Sequence, residues 1–338
     1  MTSASPRHTE PLVEITRGEL VESLHRGVIA VVDGNNKLLT HAGDVELRTY
    51  IRSAAKPFQA AAGISSGAFD QYQISPNELA CITGSHSGEP IHLAAVQSIL
   101  RRIGLEENAL LCGAHMPFDE ESARAIRSSG TRPSVLHNNC SGKHAGMLTL
   151  AVHLGVDPAN YISPEHPVQK IIRDEVMRFT DVAEDNLTIA IDGCSAPVFG
   201  LSLIEMARGY ARVVNSEHRI VSAMIQFPEM VGGNHNRLDT DLMRVSQGRL
   251  ISKVGAEGIQ LLGVLPCDTY PAGLGVAIKI EDGDSRRARD PVVIEVLRQL
   301  DLLNESQLEK LAQYTHVNIV NHRKLVVGKV RTCFLLKK

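Results

Sequence analysis

The stretch RGVIAVVDGNNKLLTH, residues 26–41, carries the first clear statement about the fold. Gly27 to Val32 is rich in β-branched residues, Asp33-Gly34-Asn35-Asn36 is turn chemistry, and Lys37 to His41 returns. Two such runs about a tight turn predict a β-hairpin. A hairpin cannot bury its own apolar face, so further strands must join it. They come late in the chain. Arg249 to Val254 is short and mixed. Gly273 to Ile280 reads GLGVAIKI and ends at the turn Glu281-Asp282-Gly283-Asp284. Lys324 to Phe334 closes the set. Strands from both chain ends must therefore share one sheet.

Between these ends, from Ser53 to about Met243, the periodic stretches are helical. Ser75-Pro76-Asn77-Glu78 is an N-cap, an N1 proline and a capping-box acid. Ile91 to Ile103 has Ala95, Ile99 and Ile103 on one face and stops at Gly104; His144 to Leu154 stops at Gly155. Ser163-Pro164 opens a helix with Val168, Ile171, Ile172, Val176 and Phe179 inside. Two more helices are expected near Pro291–Leu300 and Glu305–Tyr314. The expectation is an α+β fold: an antiparallel sheet formed by both chain ends, flanked by helices, with an inserted helical lobe. As one catalytic domain it spans 12–338, with a sheet lobe from 12–52 and 245–338, a helical lobe 53–244, and a mobile terminus 1–11.

Composition narrows the function. The chain has 338 residues, 43% of them apolar and 22% charged, enough for a sizeable core and not the profile of disorder. Lys plus Arg is 35 against 38 Asp plus Glu, a net charge of -3, so no basic stripe invites nucleic acid and no polybasic cluster a membrane surface. Trp is absent and aromatics are 4%, which disfavours base-stacking platforms. No apolar run reaches the roughly 18 residues of a membrane span. No secretory signal is visible, so a cytoplasmic location and reduced thiols are expected. The cysteines at 81, 112, 140, 194, 267 and 333 are spaced unlike a disulfide framework, which leaves metal ligation or nucleophilic chemistry open.

Five segments could carry chemistry. In Ser53-Ala54-Ala55-Lys56, i and i+3 spacing on a helix would set a lysine amine beside a serine hydroxyl. A partly desolvated lysine can serve as that serine's base. Pro57 fits only if Ser53 lies at the helix start. The string also arises by chance, so the pattern alone leaves an incidental reading open. Thr83 to Glu89, reading TGSHSGE, joins two helices as either a ligand loop or a plain turn. Asn138 to His144, reading NNCSGKH, puts Cys140 just before Lys143 and His144 where a helix begins, a place that favours thiolate. Asp192-Gly193-Cys194-Ser195-Ala196-Pro197 sets Cys194 in a turn before a helix. Two such cysteines could hold zinc or could be inert buried thiols. Lys253 to Gly258, reading KVGAEG, ends a strand-like stretch. S-x-x-K followed by a strand with K-x-G, separated by helices, is the order of penicillin-recognising serine enzymes. The S-D-N element is not found, and Ser85-His86-Ser87 is its candidate replacement. Arg237-Leu238-Asp239-Thr240-Asp241, after Val231-Gly232-Gly233-Asn234, is a binding loop or a helix entrance.

Together these segments resemble the inducible, Rhizobium-type (class 3) L-asparaginases from about residue 12 to 335. They stand here as RSAAKP, GSHSGE, CGAHMP, NNCSGKHAGML, SPEHPVQ, DGCSAP, MVGG…RLDTDLMR, KVGAEG and GVAIKIEDGD. The family is similar in fold to serine β-lactamases and glutaminases. The resemblance implies hydrolysis of L-asparagine through an acyl-enzyme, with Ser53 as nucleophile and Lys56 as its base. Ser85 and Lys253 would form a second serine–lysine pair in the same pocket. Cys140, Lys143 and Cys194 would bind Zn2+, with water as fourth ligand and Asp192 close to Lys143. His144, Arg237, Asp192, Gly255 and Glu257 would serve the substrate, and Asp239 stands in the same loop as Arg237. A homodimer is implied. Two departures stand out: Asn234-His235-Asn236 where smaller residues are usual, and Glu257 where others carry aspartate. The alternatives are an S-x-x-K amidase of another substrate such as L-glutamine, a non-catalytic ligand sensor on a penicillin-binding-like scaffold, and a cysteine–zinc regulatory module.

Overall fold

The computed structural model describes residues 8–315 and 318–337. Its eleven described strands are β1 (Glu10–Arg17), β2 (Leu20–Asp33), β3 (Leu38–Ala42), β4 (Arg48–Tyr50), β5 (Thr188–Ile191), β6 (Pro197–Ser202), β7 (Leu250–Gly255), β8 (Ile259–Val264), β9 (Leu274–Ile280), β10 (Asn318–Val320) and β11 (Val326–Thr332). The main sheet runs β10-β11-β1-β2-β9-β8-β7, with β3 also on β2. Every pairing in it is antiparallel, as expected of strands drawn from both chain ends.

The hairpin read from residues 26–41 is β2–β3, with Ala30 opposite His41 and Val31 opposite Thr40. Its first strand is longer than the sequence suggested. It starts at Leu20 and turns back through Gly18, at φ 56, to β1. Glu10 and Pro11, placed in the mobile terminus, pair with Gly27 and Arg26 in that strand. The rest of that terminus, 1–7, lies outside the described residues. The expected last strand contracts to Val326–Thr332.

The central strands are closed on both faces. Every residue of β8 and β9 is buried, as is Val28 to Val32 of β2. The helix Leu203–Ser216 packs on β9, β2 and β8. Two paired glycines, Gly263 and Gly275, make room for it. A Cβ on Gly275 would sit 1.8 Å from Ala207 O, and one on Gly263 would sit 2.5 Å from a Val214 methyl. On β1 and β11 the packing partner is the helix Asp290–Gln299.

The segment between the sheet's two halves is mostly helical. Ser75 and Glu78 form the expected capping box for Pro76–Thr83. The helix expected from Ser163-Pro164 starts instead at Pro167, because His166 caps it: its Nδ1 accepts from Val168 N at 3.2 Å. The helix expected over Glu305–Tyr314 breaks into Glu305–Lys310 and the 3-10 turn Ala312–Tyr314. The insert also contains strands that helical periodicity hides. β5 and β6 form a hairpin, and β4 completes a separate sheet in the order β4-β6-β5. Cys194 therefore precedes a strand, not a helix; Pro197 opens β6, and Val198 and Phe199 suit a pleated surface. Among the described residues no helix is long and apolar enough to cross a membrane.

Candidate active site

Three elements meet at one cavity of about 1100 Å³. The first is the 3-10 turn Arg52–Ala55, which runs into the helix Lys56–Ser65. Pro57 sits in the first turn of that helix, where a missing N–H costs nothing. Ser53 lines the cavity, half-buried, just ahead of the helix. The second is the loop from Gly84 to Glu89, wholly buried between the helices Pro76–Thr83 and Pro90–Arg102. Gly84 lets it pass tightly: a Cβ there would lie 2.7 Å from Met230 O. Ser85 N donates to Val231 O at 2.8 Å, which fixes Ser85 at the cavity wall. The third is β7, an edge strand whose end presents Val254 and Gly255 to the cavity.

Two lysines converge on Ser85. Lys253 Nζ donates to Ser85 Oγ at 2.7 Å and to Val254 O at 2.9 Å. Lys56 Nζ donates to Ser85 Oγ at 3.1 Å, to Asn139 O at 3.1 Å and to Gly84 O. Both lysines are buried, at 1% and 0% exposure. A lysine has three hydrogens to give, so Lys56 gives none to Ser53. Burial drives Lys253 well below its ordinary value; Asp239 opposes this, and the Lys56 charge reinforces it. Asp239 is itself buried and fully engaged. Its Oδ1 accepts from Ser252 Oγ at 2.7 Å and Gln260 Nε2 at 2.8 Å, and its Oδ2 accepts from Val254 N at 2.9 Å. Burial alone would raise its carboxyl, but the Lys253 charge and these hydrogen bonds hold it low.

Arg237 and Glu257 also line the cavity. Arg237 precedes the helix Leu238–Val245, so its segment is both loop and helix entrance. Its Nη1 donates to Ser87 Oγ at 2.9 Å and its Nη2 to Ser85 O at 2.6 Å. Glu257 sits in the β7–β8 turn at φ 60.

The remaining expected residues gather behind this wall rather than on it. Cys140 caps the helix Ser141–His153, as its place before Lys143 suggested. Lys143 Nζ lies 2.9 Å from Cys194 Sγ, and the Cys140 and Cys194 thiols interact with each other. All three side chains are buried. The bond from Cys194 lowers the Cys140 thiol well below its usual value, and Lys56 and Lys143 assist against burial. The same shared hydrogen raises Cys194. Burial would lower Lys143, but the two sulfurs outweigh it and raise it. Two thiols and an amine are a donor set that suits zinc, provided the metal displaces the ammonium proton. No group of three or more His, Cys, Asp or Glu among the described residues is placed to hold a metal, so any such site depends on Lys143. Asp192 bonds Arg52, with Nη2 2.8 Å from Oδ1, and lies within electrostatic reach of Lys143. His144 is fully buried, with Nδ1 2.5 Å from Tyr161 Oη and Nε2 unpartnered among the described residues; burial keeps it neutral. Neither Asp192 nor His144 lines the cavity.

Sequence reasoning missed Arg289 and Asp290, which line the cavity, and gave Asn139 no role. Asn139 stood inside a segment already singled out. The other two fall in a charged run that reads as solvated surface.

The chain matches the model of the L-asparaginase II family over residues 13–332. It belongs to that family, and with it to the hydrolases of amide bonds. No curated protein matches it. Among solved structures, Mglu in its native form is 14% identical with a TM-score of 0.46, over 83% of this chain and 66% of that one. A probable glutaminase from Bacillus subtilis complexed with 6-diazo-5-oxo-L-norleucine is 16% identical with a TM-score of 0.35, over 82% and 84%. A Bacillus glutaminase in 4.3 M NaCl is 15% identical with a TM-score of 0.34, over 82% and 91%.

Proposed function

We propose that the protein hydrolyses the side-chain amide of L-asparagine to L-aspartate and ammonia through a serine acyl-enzyme. The observation that supports this most is Ser85 Oγ, gripped by two buried lysines on a cavity wall shared with Ser53, in a chain of the L-asparaginase II family. A serine hydroxyl attacks the amide carbon as an amine takes its proton. That proton passes to the departing nitrogen, ammonia leaves, and water cleaves the ester. The depressed Lys253 supplies a neutral amine beside Ser85, and Lys56 Nζ holds the same hydroxyl from the other side.

The resemblance favours Ser53 as the attacking group, with Lys56 as base and Ser85 with Lys253 as a second serine–lysine pair. A second reading, with Ser85 attacking and Lys253 as base, is favoured by the hydrogen bonds: Lys56 spends its three on other acceptors. Donors for the oxyanion come from backbone near Ser53 in either case; Val254 N is already spent on Asp239. Cys140, Lys143 and Cys194 would hold Zn2+ behind the serines, where it would add positive charge to that side of the pocket. The resemblance also supports a homodimer. L-Glutamine is the nearest rival substrate, since one methylene is worth only about 1–3 kcal/mol.

The test is ammonia release from both amides by wild type, Ser53→Ala and Ser85→Ala, with mass spectrometry of quenched enzyme and metal analysis of each preparation. An acyl group on the Ser53 peptide that vanishes in Ser53→Ala establishes the first reading. The same result for Ser85 establishes the second. No ammonia from either amide by folded wild type refutes amide hydrolysis.

A further inference from the structure

A free amino-acid amide brings an α-carboxylate and an α-ammonium into the site with its amide. Each loses water there and needs a partner of opposite charge. Three arginines line the cavity: Arg124, Arg237 and Arg289. Arg237 is committed to Ser85 O and Ser87 Oγ. Arg124 is exposed on the outlying helix Glu120–Ser129. Arg289 differs from both. It ends the π-turn Ser285–Arg289, and its side chain is 13% exposed beside the Asp290 side chain at 12%. Single π-turns recur at functional sites because they re-aim a side chain at a cost in backbone regularity.

The contact between the two residues is lopsided. Arg289 Nε and Nη2 both reach one oxygen, Asp290 Oδ1, at 2.9 Å and 2.6 Å. Arg289 Nη1 and Asp290 Oδ2 are left without a partner among the described residues. The pair therefore offers a cationic donor and an anionic acceptor side by side on the cavity wall. An amino acid carries the complementary anion and cation on a single carbon. Arg289 lies within electrostatic reach of Arg237, and Asp290 of Asp239, so the pair shares its cavity with the residues around Ser85. Burial also lifts the Asp290 carboxyl despite its arginine, as befits a carboxylate only half satisfied.

We propose that Arg289 and Asp290 are the amino-acid clamp of this site: Arg289 Nη1 takes the substrate's α-carboxylate and Asp290 Oδ2 its α-ammonium, leaving the side-chain amide to the serines. The clamp rests on the amide-hydrolysis reading for its substrate. It makes the zinc site unnecessary for holding the α-groups.

Three amides separate the two contacts: L-asparagine, succinamate (no α-ammonium) and 3-aminopropanamide (no carboxylate). In the metal-loaded full chain, Arg289→Met raises KM for L-asparagine and succinamate about tenfold or more, with kcat within about threefold, and leaves 3-aminopropanamide unchanged. Asp290→Asn raises KM for L-asparagine and 3-aminopropanamide and spares succinamate. The double variant Arg289→Met/Asp290→Asn leaves no unpaired buried charge; it melts near wild type yet keeps the KM loss on L-asparagine. Equal losses on all three amides, or an unchanged KM in Arg289→Met, overturn the clamp. Calorimetry with L-aspartate needs no turnover. If wild type releases no ammonia, L-aspartate binding that Arg289→Met abolishes keeps the clamp and drops hydrolysis, whereas binding that survives, or that wild type lacks, overturns it.

Discussion

Replacing Asp239 by asparagine removes one charge and turns one acceptor oxygen into a donor. The carboxylate is 3% exposed, so water cannot repair the mismatch. Its Oδ1 accepts from Ser252 and Gln260 and its Oδ2 from Val254 N. Turned toward Val254 the new NH2 faces an N–H; turned toward Gln260 it faces another, until the buried Gln260 amide, whose Oε1 has no partner among the described residues, turns over as well. One unmatched buried donor costs about 1–3 kcal/mol. The surviving bonds weaken because their acceptor is no longer charged. The sum is about 3–5 kcal/mol, the range measured when one partner of a buried pair is removed. That corresponds to a Tm lower by roughly 5 °C in a chain of this length. The pH dependence has a definite sign. The folded carboxyl lies below the ordinary 3.8, so its stabilisation is complete above that value and fades as pH falls through the folded one. Urea unfolding followed by circular dichroism should therefore show a constant gap between wild type and Asp239→Asn from pH 7 to about 5, narrowing below about 4. No gap at pH 7, or a gap that widens in acid, would refute the reasoning.

The opposite sign is expected of Lys253→Met. Burial holds the folded amine well below 10.5, so above its folded value the unfolded chain binds a proton that the native state lacks. Stability measured against Lys253→Met should shift in favour of wild type as pH rises from 7 to 10; a flat difference contradicts the depressed amine. Turnover by the same variant should fall by about 10²–10⁴ at its best pH, as loss of a general base does. Gly275→Ala should lower stability by about 3 kcal/mol without changing KM, since its Cβ would lie 1.8 Å from Ala207 O and must lift the helix Leu203–Ser216 off β9. Gly193→Ala, with nothing within 4 Å of its Cβ, is the control, and thermal melts of equal Tm for both would contradict the packing.

Much of the sheet was legible because its strands are buried on both faces and read as continuous apolar runs, as Val28 to Val32 and the residues of β9 do. The strands that were missed lack that mark. Leu20 to Leu24 of β2 is exposed, and β5 has no buried residue, so neither carries the hydrophobic signal of a covered strand. β4, at three residues, is too short to have a period. β8 is apolar throughout, but its IQLLGV text is as compatible with a buried helical turn as with a strand. Helix starts followed capping chemistry where the cap was Ser75, and slipped three residues where a histidine did the capping at His166.

The site shows where local spacing stops being a guide. Ser53 and Lys56 are three apart, and on a regular helix that spacing alone would join them. Here Ser53 belongs to a 3-10 turn and Lys56 opens the helix that follows. Lys56 has a long, flexible stem, so its ammonium goes where its hydrogens are best matched. A buried ammonium facing one hydroxyl would leave two donors unsatisfied, a loss of several kcal/mol. Ser85 Oγ and the carbonyls of Gly84 and Asn139 match all three. Those acceptors come from loops 28 and 83 residues away, so no window of sequence around Ser53 could contain them. The motif names the residues that matter, but their partners are chosen by the count of donors and acceptors that the fold brings within reach. The same count singles out Arg289 and Asp290, neighbours in sequence whose contact uses one oxygen of two.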